Sequence, residues 1–493
     1  GISNPILNSD RTGASMNISS RQLSSLPSIN RSITDFTRMT PQANGNSFGG
    51  RDGRFNTITI DGAAFNNNFG LSSSPMPGGS AQPISLDAIE EISVNLAPYD
   101  VRLSQFTGAS INAVTKSGDN KFKATAYTYQ RLKSFTGNKV GDVEVKGAND
   151  RSSSVFGATV GGPIIKNKLF FFLSAEYEKE TIPSSAWEPS TNGVADQTNR
   201  ISRTTVADLE RAKQHLMSAY GYDPGSYQNF GSFPTENYKI LGRIDWNISK
   251  NHKMSFRYNR LENTNTVLTN ATSGPPGVPR SNFGRISEQS IAFSNSFYGE
   301  ERTVNGFAAE LNSTFGSRIS NKLLVSYTAV TDPKRTSPSA IFPFVDIYKD
   351  GNPYMSFGYE LFTYNNQVKN NTFSVINNLS INLDKHTLTA GIAYDNIYVN
   401  NNYVREGTSY YRYASLDDFI NNVKPTAFGI TYGYNGEAIK GVEMSFGLGS
   451  LYVQDEWNIT KKLKLTYGLR AELPMYHNEL KNNPAISALT FGD

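Results

Sequence analysis

The sequence predicts an all-β antiparallel barrel that crosses a membrane, preceded by a small mixed α+β unit. Three observations carry this expectation. From Lys121 onward, long stretches alternate apolar and polar residues over about 12 positions, beyond the ~5–6 residues of a globular strand and suited to a tilted strand that spans a bilayer. The links between these stretches alternate short and long, as they do where tight turns lie on one side of a membrane and large loops on the other. The 493 residues are only 38% hydrophobic and 18% charged, with 29 Phe and 26 Tyr. A mean hydropathy of −0.44 and the lack of any apolar run near ~18 residues argue against helical spans. Neither argues against strands, whose two faces average out as hydrophilic. A soluble chain of this length would instead divide into domains of roughly 150 residues.

Residues 1–116 read as the mixed unit. Residues 33–39 carry a helical period of a turn or two that ends before Pro41. Residues 55–60 alternate like a strand and stop at Asp61-Gly62, a turn signal. Residues 86–92 suggest a short helix that leads into a strand over 93–96, and 109–115 suggest another strand. Residues 66–83 are rich in Asn, Ser, Gly and Pro and read as an irregular loop.

Residues 117–493 read as barrel wall. Leu169, Phe171, Leu173, Ala175 and Tyr177 share a face opposite Ser174, Glu176 and Glu178. Tyr238, Ile240, Ile244, Trp246 and Ile248 oppose Lys239, Arg243, Asp245 and Asn247, and Leu463, Leu465, Tyr467, Leu469 and Leu473 oppose Lys464, Thr466, Arg470 and Glu472. Strands are expected near 121–133, 152–164, 168–180, 236–249, 252–263, 301–316, 320–332, 370–383, 386–402, 446–459 and 462–474. Residues 290–298 alternate too, but a strand there would break the up-and-down order, so they are assigned to a loop. A helix is expected over 205–220 in the longest loop, with Thr205 and Asp208 as a capping pair, Gly221 as the stop, and Val206, Leu209, Leu216 and Ala219 as its apolar stripe. About eleven strands is an odd number, whereas single-chain outer-membrane barrels have even counts. Eleven strands also leave no room for an internal domain, since plugged lumens belong to barrels of about 22. The chain is therefore expected to hold about half a barrel. Gly1 is not an initiator Met and no signal peptide is visible, so a processed or truncated start is expected.

Three stretches resemble TonB-dependent outer-membrane receptors. Residues 48–62, from Phe48-Gly49-Gly50-Arg51-Asp52-Gly53-Arg54 through Ile58-Thr59-Ile60-Asp61-Gly62, resemble a plug segment of that family. Residues 86–118, from Leu86-Asp87-Ala88-Ile89-Glu90-Glu91-Ile92 to Ala113-Val114-Thr115-Lys116-Ser117-Gly118, are similar to the block that closes the plug. Residues 451–470, from Leu451-Tyr452-Val453-Gln454-Asp455-Glu456-Trp457 to Gly468-Leu469-Arg470, are similar to a barrel hairpin of the family. Residues 73–85 resemble the Oar-like branch of Bacteroidetes. The resemblance implies an α+β plug domain over 1–116 inside an all-β transmembrane barrel of about 22 strands, in the outer membrane of a Gram-negative bacterium. It implies import of a peptide or protein, a glycan or a siderophore. A TonB-type inner-membrane complex would supply energy by pulling an N-terminal box, and no such box precedes Gly1. The other expected partners are outer-membrane lipid and lipopolysaccharide, and a surface lipoprotein or another envelope protein. A second reading makes the receptor-like barrel a structural scaffold in an envelope complex; a third, a soluble β-rich enzyme, would purify without detergent.

Two sets of site residues are expected. Arg51, Asp52, Arg54, Arg102, Glu310 and Arg470, with Arg257 and Asn259, would form a polar interface between plug and wall. Phe65, Phe69, Met76, Tyr410, Tyr411 and Tyr413 would line a substrate vestibule. No catalytic, cofactor-binding or metal site is expected. Gly45-Asn46-Ser47-Phe48-Gly49 matches a nucleophile-elbow pattern, but loop flanks it where a strand and a helix are required. Zero Cys removes thiolate chemistry, and His215, His252, His386 and His477 are dispersed. With 47 basic and 43 acidic residues the net charge is +4, too small a basic excess for a nucleic-acid partner.

Overall fold

A computed structural model describes residues 14–26, 28, 31–66, 76–77, 82–135, 137, 139–144, 151–183, 186–433, 438–478 and 484–490. The first unit is built on a mixed sheet of β1 (Ala14–Ser19), β2 (Thr57–Ile60), β3 (Ala63–Ala64), β4 (Ile89–Leu96) and β5 (Ala109–Thr115), in the order β1-β4-β5-β2-β3. Strand β2 runs parallel to β5 and the other pairs are antiparallel. Two short helices, α1 (Ser20–Ser25) and α2 (Ile33–Thr37), lie between β1 and β2 in sequence. Helix α2 starts where Ser32 accepts from the Thr34 amide, and it stops short of the expected 39. Only one 3-10 turn, Leu86–Ala88, forms where a longer helix was expected. From Ile89 the chain is strand, because Ile89, Ile92, Val94 and Leu96 must all reach the core beside β5. Ile18, Phe36, Phe48, Ile58, Ile60 and Phe65 complete that core.

The second unit is one antiparallel meander of eleven strands: β6 (Lys123–Arg131), β7 (Ser152–Ile165), β8 (Leu169–Pro183), β9 (Ser232–Asn247), β10 (His252–Val267), β11 (Tyr298–Phe315), β12 (Ile319–Thr336), β13 (Gln367–Leu383), β14 (His386–Asn402), β15 (Val442–Thr460) and β16 (Leu463–Tyr476). Each pairs with the strand next to it in sequence, and β6 and β16 are the two edges of the sheet. Every strand expected from alternation is present. On one face large apolar side chains stand exposed, among them Leu173, Ile240, Phe256, Phe307, Leu451 and Leu469. On the other face Glu176, Lys239, Arg257 and Asn259 are buried against the first unit. A sheet with its grease outside and its charges inside fits a membrane wall around a filled lumen. Ile240→Arg should therefore lower stability in a bilayer by about 2–4 kcal/mol if the position is near the midplane, although Lys239 beside it is native. Urea titration of folding into liposomes measures this, and an unchanged midpoint would place Ile240 off the lipid face.

The long loops on one side do not stay irregular. Residues 291–292, 352–357, 344–349, 410–413 and 427–429 form a five-stranded sheet in that order, drawn from three separate loops. Residues 290–298 thus stay out of the wall until Tyr298 opens β11. Helices α3 (Val206–Tyr220) and α4 (Leu416–Ile420) pack on this sheet, and Leu209 and Leu216 join Val345, Ile347, Met355 and Phe419 in a second core. The Thr205 hydroxyl caps α3 by accepting from the Asp208 amide, and Gly221 ends it at φ +63. The buried stripe is Leu209, Ala212 and Leu216; Val206 is partly exposed and Ala219 exposed, because the sheet meets α3 on that narrower stripe. Thr205→Ala should cost about 1 kcal/mol, read as faster amide exchange over 206–212.

Candidate functional site

The candidate site is the contact between the α+β unit and the concave face of the wall. The chain crosses from one to the other at Gly118, where an added Cβ would lie 2.3 Å from the Phe171 carbonyl oxygen, so the connection runs flush against the wall. The first contact zone centres on the β2–β3 turn. Asp61 adopts φ +48 there, and its carboxylate accepts from the Thr115 amide (2.8 Å) and hydroxyl (2.7 Å) within the unit. The same carboxylate pairs with Arg257 of β10 at 2.8 Å and with Arg243 of β9 at 3.6 Å. Arg257 also donates to the Ile60 carbonyl at 2.5 Å, and Arg243 to the Thr115 carbonyl at 3.1 Å. The Arg257 side chain is 4% exposed, so these are desolvated charge–charge contacts.

The second zone centres on Glu176 of β8. Its carboxylate accepts from Ser85 and Tyr127 hydroxyls at 2.8 Å each and from the Lys239 ammonium at 2.8 Å. Arg31, in the α+β unit, pairs with Asp87 at 2.5 Å, reaches Glu176 at 3.4 Å and stacks 3.9 Å from the Tyr129 ring centroid. Between these zones the contact is apolar: Phe172, Leu241, Leu261, Val304 and Val330 of the wall join the core of the first unit. The interface is therefore not uniformly wet, because the sheet of the first unit reaches the wall there and excludes water.

The third zone lies at the far strands and is of a different kind. The Val101 amide donates to Gln454 of β15 at 3.1 Å, Arg470 of β16 donates to the Val101 carbonyl at 3.0 Å, and Gln105 donates to Asp395 of β14 at 2.7 Å. Beside them a cavity of about 330 Å³ separates β2, β4 and β5 from β13–β16. Thr59, Ser93, Asn95 and Asn112 line one side and Thr372 and Ser374 the other.

The expected interface residues divide accordingly. Arg470 bridges the two units, and Arg102 faces the same cavity while paired to Asp100 at 2.6 Å. Arg257 is a principal anchor, whereas Asn259 is fully buried with neither amide atom hydrogen-bonded. Glu310 instead pairs with Lys322 on the neighbouring wall strand at 2.7 Å. Arg51, Asp52 and Arg54 are exposed, and Asp52 and Arg54 satisfy each other across a 3-10 turn instead of reaching the wall. Of the expected vestibule residues, Phe65 and Met76 are buried in the first core and Tyr410 is fully buried in the loop sheet. A side chain already packed on all sides presents no surface to a ligand, so these three are core residues. Tyr411 and Tyr413 are half-buried beside that sheet, and Phe69 lies outside the described residues. Among the described residues no group of His, Asp and Glu could hold a metal ion. Sequence reasoning missed Asp61, which was read only as a turn, and Glu176, which was read only as polar face.

Residues 114–490 match the family described as Outer membrane beta barrel domain. Over 268 residues the chain is 25% identical to the TonB-dependent transporter Oar of Myxococcus xanthus, a match covering 50% of this chain and 23% of Oar. The outer membrane transporter YddB from Escherichia coli superposes with a TM-score of 0.60 at 12% identity, over 93% of this chain and 56% of YddB. The siderophore receptor PirA from Acinetobacter baumannii gives 0.56 at 16% identity, over 94% of this chain and 57% of PirA. At these identities the two structures speak for the fold alone, and the chain spans little more than half the length of either. A wall with apolar residues outward, an α+β unit on its concave side and a match covering most of the chain agree: this chain belongs to the Outer membrane beta barrel domain family, in the outer membrane of a Gram-negative bacterium.

Proposed function

We propose that this chain is the plug and part of the wall of a TonB-dependent receptor that imports a polar cargo. In this reading residues 1–116 serve as the plug and 117–493 as wall and outer loops. The observation that carries it is an α+β unit on the concave face of a membrane wall, its core continuous with wall residues in the middle and its far side held by contacts that water can replace. A structural scaffold has no need of a removable stopper. An inner-membrane energising complex would supply the pull, outer-leaflet lipopolysaccharide would surround the wall, and Tyr411 and Tyr413 would meet cargo at the loop sheet. The name of the Oar relative supports this reading. The catalytic roles considered for residues 45–49 find no support in their setting, a pair of two-residue strands joined by a turn. The test is a deletion of the native gene compared with a deletion of the energising complex. Cells are grown on mixed peptides, mixed oligosaccharides or a ferric siderophore as sole nitrogen, carbon or iron source. Both deletions should lose growth on the same source. Losses on different sources, or none for the receptor gene, overturn the proposal.

A further inference from the structure

The two rims of the wall differ in charge. On the side of the short turns, β7 and β8, β9 and β10, β11 and β12, β13 and β14, and β15 and β16 are joined by only two to four residues each. Four of these five turns carry lysine, at Lys166, Lys168, Lys250, Lys385, Lys461 and Lys462, all exposed. The fifth carries Arg318, and the one acid among the turn residues is Asp384, 3.7 Å from it. Seven basic residues thus stand against one acid, a larger excess than the +4 of the whole chain.

Those lysines are also unspent. The carboxylates near the turns are taken by other cations, Glu310 by Lys322 at 2.7 Å and Glu456 by Lys464 at 2.6 Å, and none of the six turn lysines has an ion pair among the described residues. The loop rim is built differently. There Lys179 pairs with Glu236 and Lys334 with Glu301, at 3.1 Å each, and Arg260 pairs with Glu262. A basic residue paired with a carboxylate has little charge left for a partner, so the two rims should not attract the same groups.

The level of the turn rim says which group it meets. Next to the turns the wall exposes Ile165, Trp246, Phe315, Leu383 and Leu463, and Trp457 stacks on His386 at 5.4 Å. Aromatic and aliphatic side chains of this kind mark the edge of the hydrocarbon. A turn of two to four residues cannot carry its charge far beyond that edge, and a lysine can run its stem along the apolar layer while its ammonium stays at the headgroups. Short turns of an outer-membrane barrel lie on the periplasmic side, where the leaflet offers phosphates. A zwitterionic headgroup brings its own cation to that phosphate. A headgroup with net negative charge leaves the phosphate for lysine.

We propose that the turn lysines form a collar that gathers anionic phospholipid around the inner-leaflet rim of the wall. The inference needs only the membrane wall and goes beyond the import reading. The experiment places the full-length protein in phosphatidylcholine bilayers and compares spin-labelled phosphatidylglycerol with spin-labelled phosphatidylcholine in the motionally restricted shell. The native protein should prefer phosphatidylglycerol at least about twofold, since a lysine near an anionic surface is worth roughly a fivefold preference and only one rim carries the collar. The preference should vanish in about 1 M salt, where charges are screened beyond about 3 Å. Lys166→Gln, Lys168→Gln, Lys250→Gln, Lys385→Gln, Lys461→Gln and Lys462→Gln combined should abolish it, and the corresponding six Lys→Arg changes should keep it. Lys179→Gln with Lys334→Gln, on the loop rim, should leave it as it is. If the Gln collar keeps the preference, or the loop-rim variant loses it equally, the inference fails. It fails also if the native protein shows no preference but sediments with purified peptidoglycan through the same lysines, which would make the collar a cell-wall contact. None of these outcomes bears on cargo import.

Discussion

Arg285→Ala should unfold the outer loop sheet while leaving the wall intact, at a cost of about 3–5 kcal/mol. Arg285 and Asp346 are each 3% exposed and form a two-pronged pair at 2.8 and 2.7 Å. Asp346 sits on residues 344–349 and also accepts from Ser356 on 352–357 and Tyr410 on 410–413, at 2.7 Å each. One carboxylate thus ties three strands, and among the described residues Arg285 supplies the full positive charge bonded to it. Removing the guanidinium leaves a buried anion with two hydroxyl donors. Arg285→Lys should rescue little, because an ammonium cannot donate in the fork geometry and would also lose the Asn270 and Ser273 carbonyls. Hydrogen exchange should quicken over 344–357 and 410–413 and stay slow in the wall strands. Equal quickening in both regions would show that the sheet is not an independent unit.

The same pair sets a pH dependence. Burial pushes the Asp346 carboxyl up, but Arg285 and the two hydroxyls outweigh it and hold the group below the ordinary carboxylate range. A depressed folded pKa contributes stability that is present above the unfolded value of about 3.9 and is lost as pH falls through the folded value. The loop sheet should therefore persist until pH drops below the usual Asp range. In Arg285→Ala the sign reverses, since an unpaired buried carboxyl is easier to hold neutral; the damage should shrink as pH falls through about 5 to 4. Glu360 acts the other way in the native protein. Burial raises it despite bonds from Thr363 and the Phe362 amide, so its contribution declines as pH rises above the ordinary Glu range.

What the sequence made legible follows from periodicity. A strand with lipid on one side and a polar plug on the other must alternate, and Leu463, Leu465, Tyr467 and Leu469 do so without a break, so all eleven wall strands could be read in place. Helix α3 was legible because its ends are chemical, a Thr cap and a Gly stop. The loop sheet was not. Phe344, Val345, Asp346 and Ile347 are all buried, so that strand has no polar face and no period. Its partners lie on other loops, and nothing local marks Arg285 as the mate of Asp346, 61 positions away. The same limit misplaced Phe65, Met76 and Tyr410: residue type shows that a side chain is large, not which surface covers it. It also hid Asp61, whose turn signal was plain while its two arginine partners came from β9 and β10.

That turn offers the second large effect. Asp61→Asn should loosen the plug from the wall by about 3–5 kcal/mol. Asn tolerates the left-handed backbone that Asp61 holds at φ +48, so the turn itself should survive while the charge and one accepting oxygen are removed. Arg243 keeps Asp245 at 2.8 Å, but Arg257 loses its carboxylate and keeps only the Ile60 carbonyl. A 4%-exposed guanidinium is then left without a carboxylate bonded to it, which is costlier than having no charge there at all. Asp61→Asn with Arg257→Leu should therefore recover most of the loss, because an apolar side chain extends the seam already formed by Leu241 and Leu261. Limited proteolysis of the detergent-solubilised full-length protein reads the difference: cleavage should rise within 57–66 and 109–118 in the single variant and return towards the native rate in the double. If the double variant is cleaved as fast as the single one, Asp61 matters for the turn and not as an anchor.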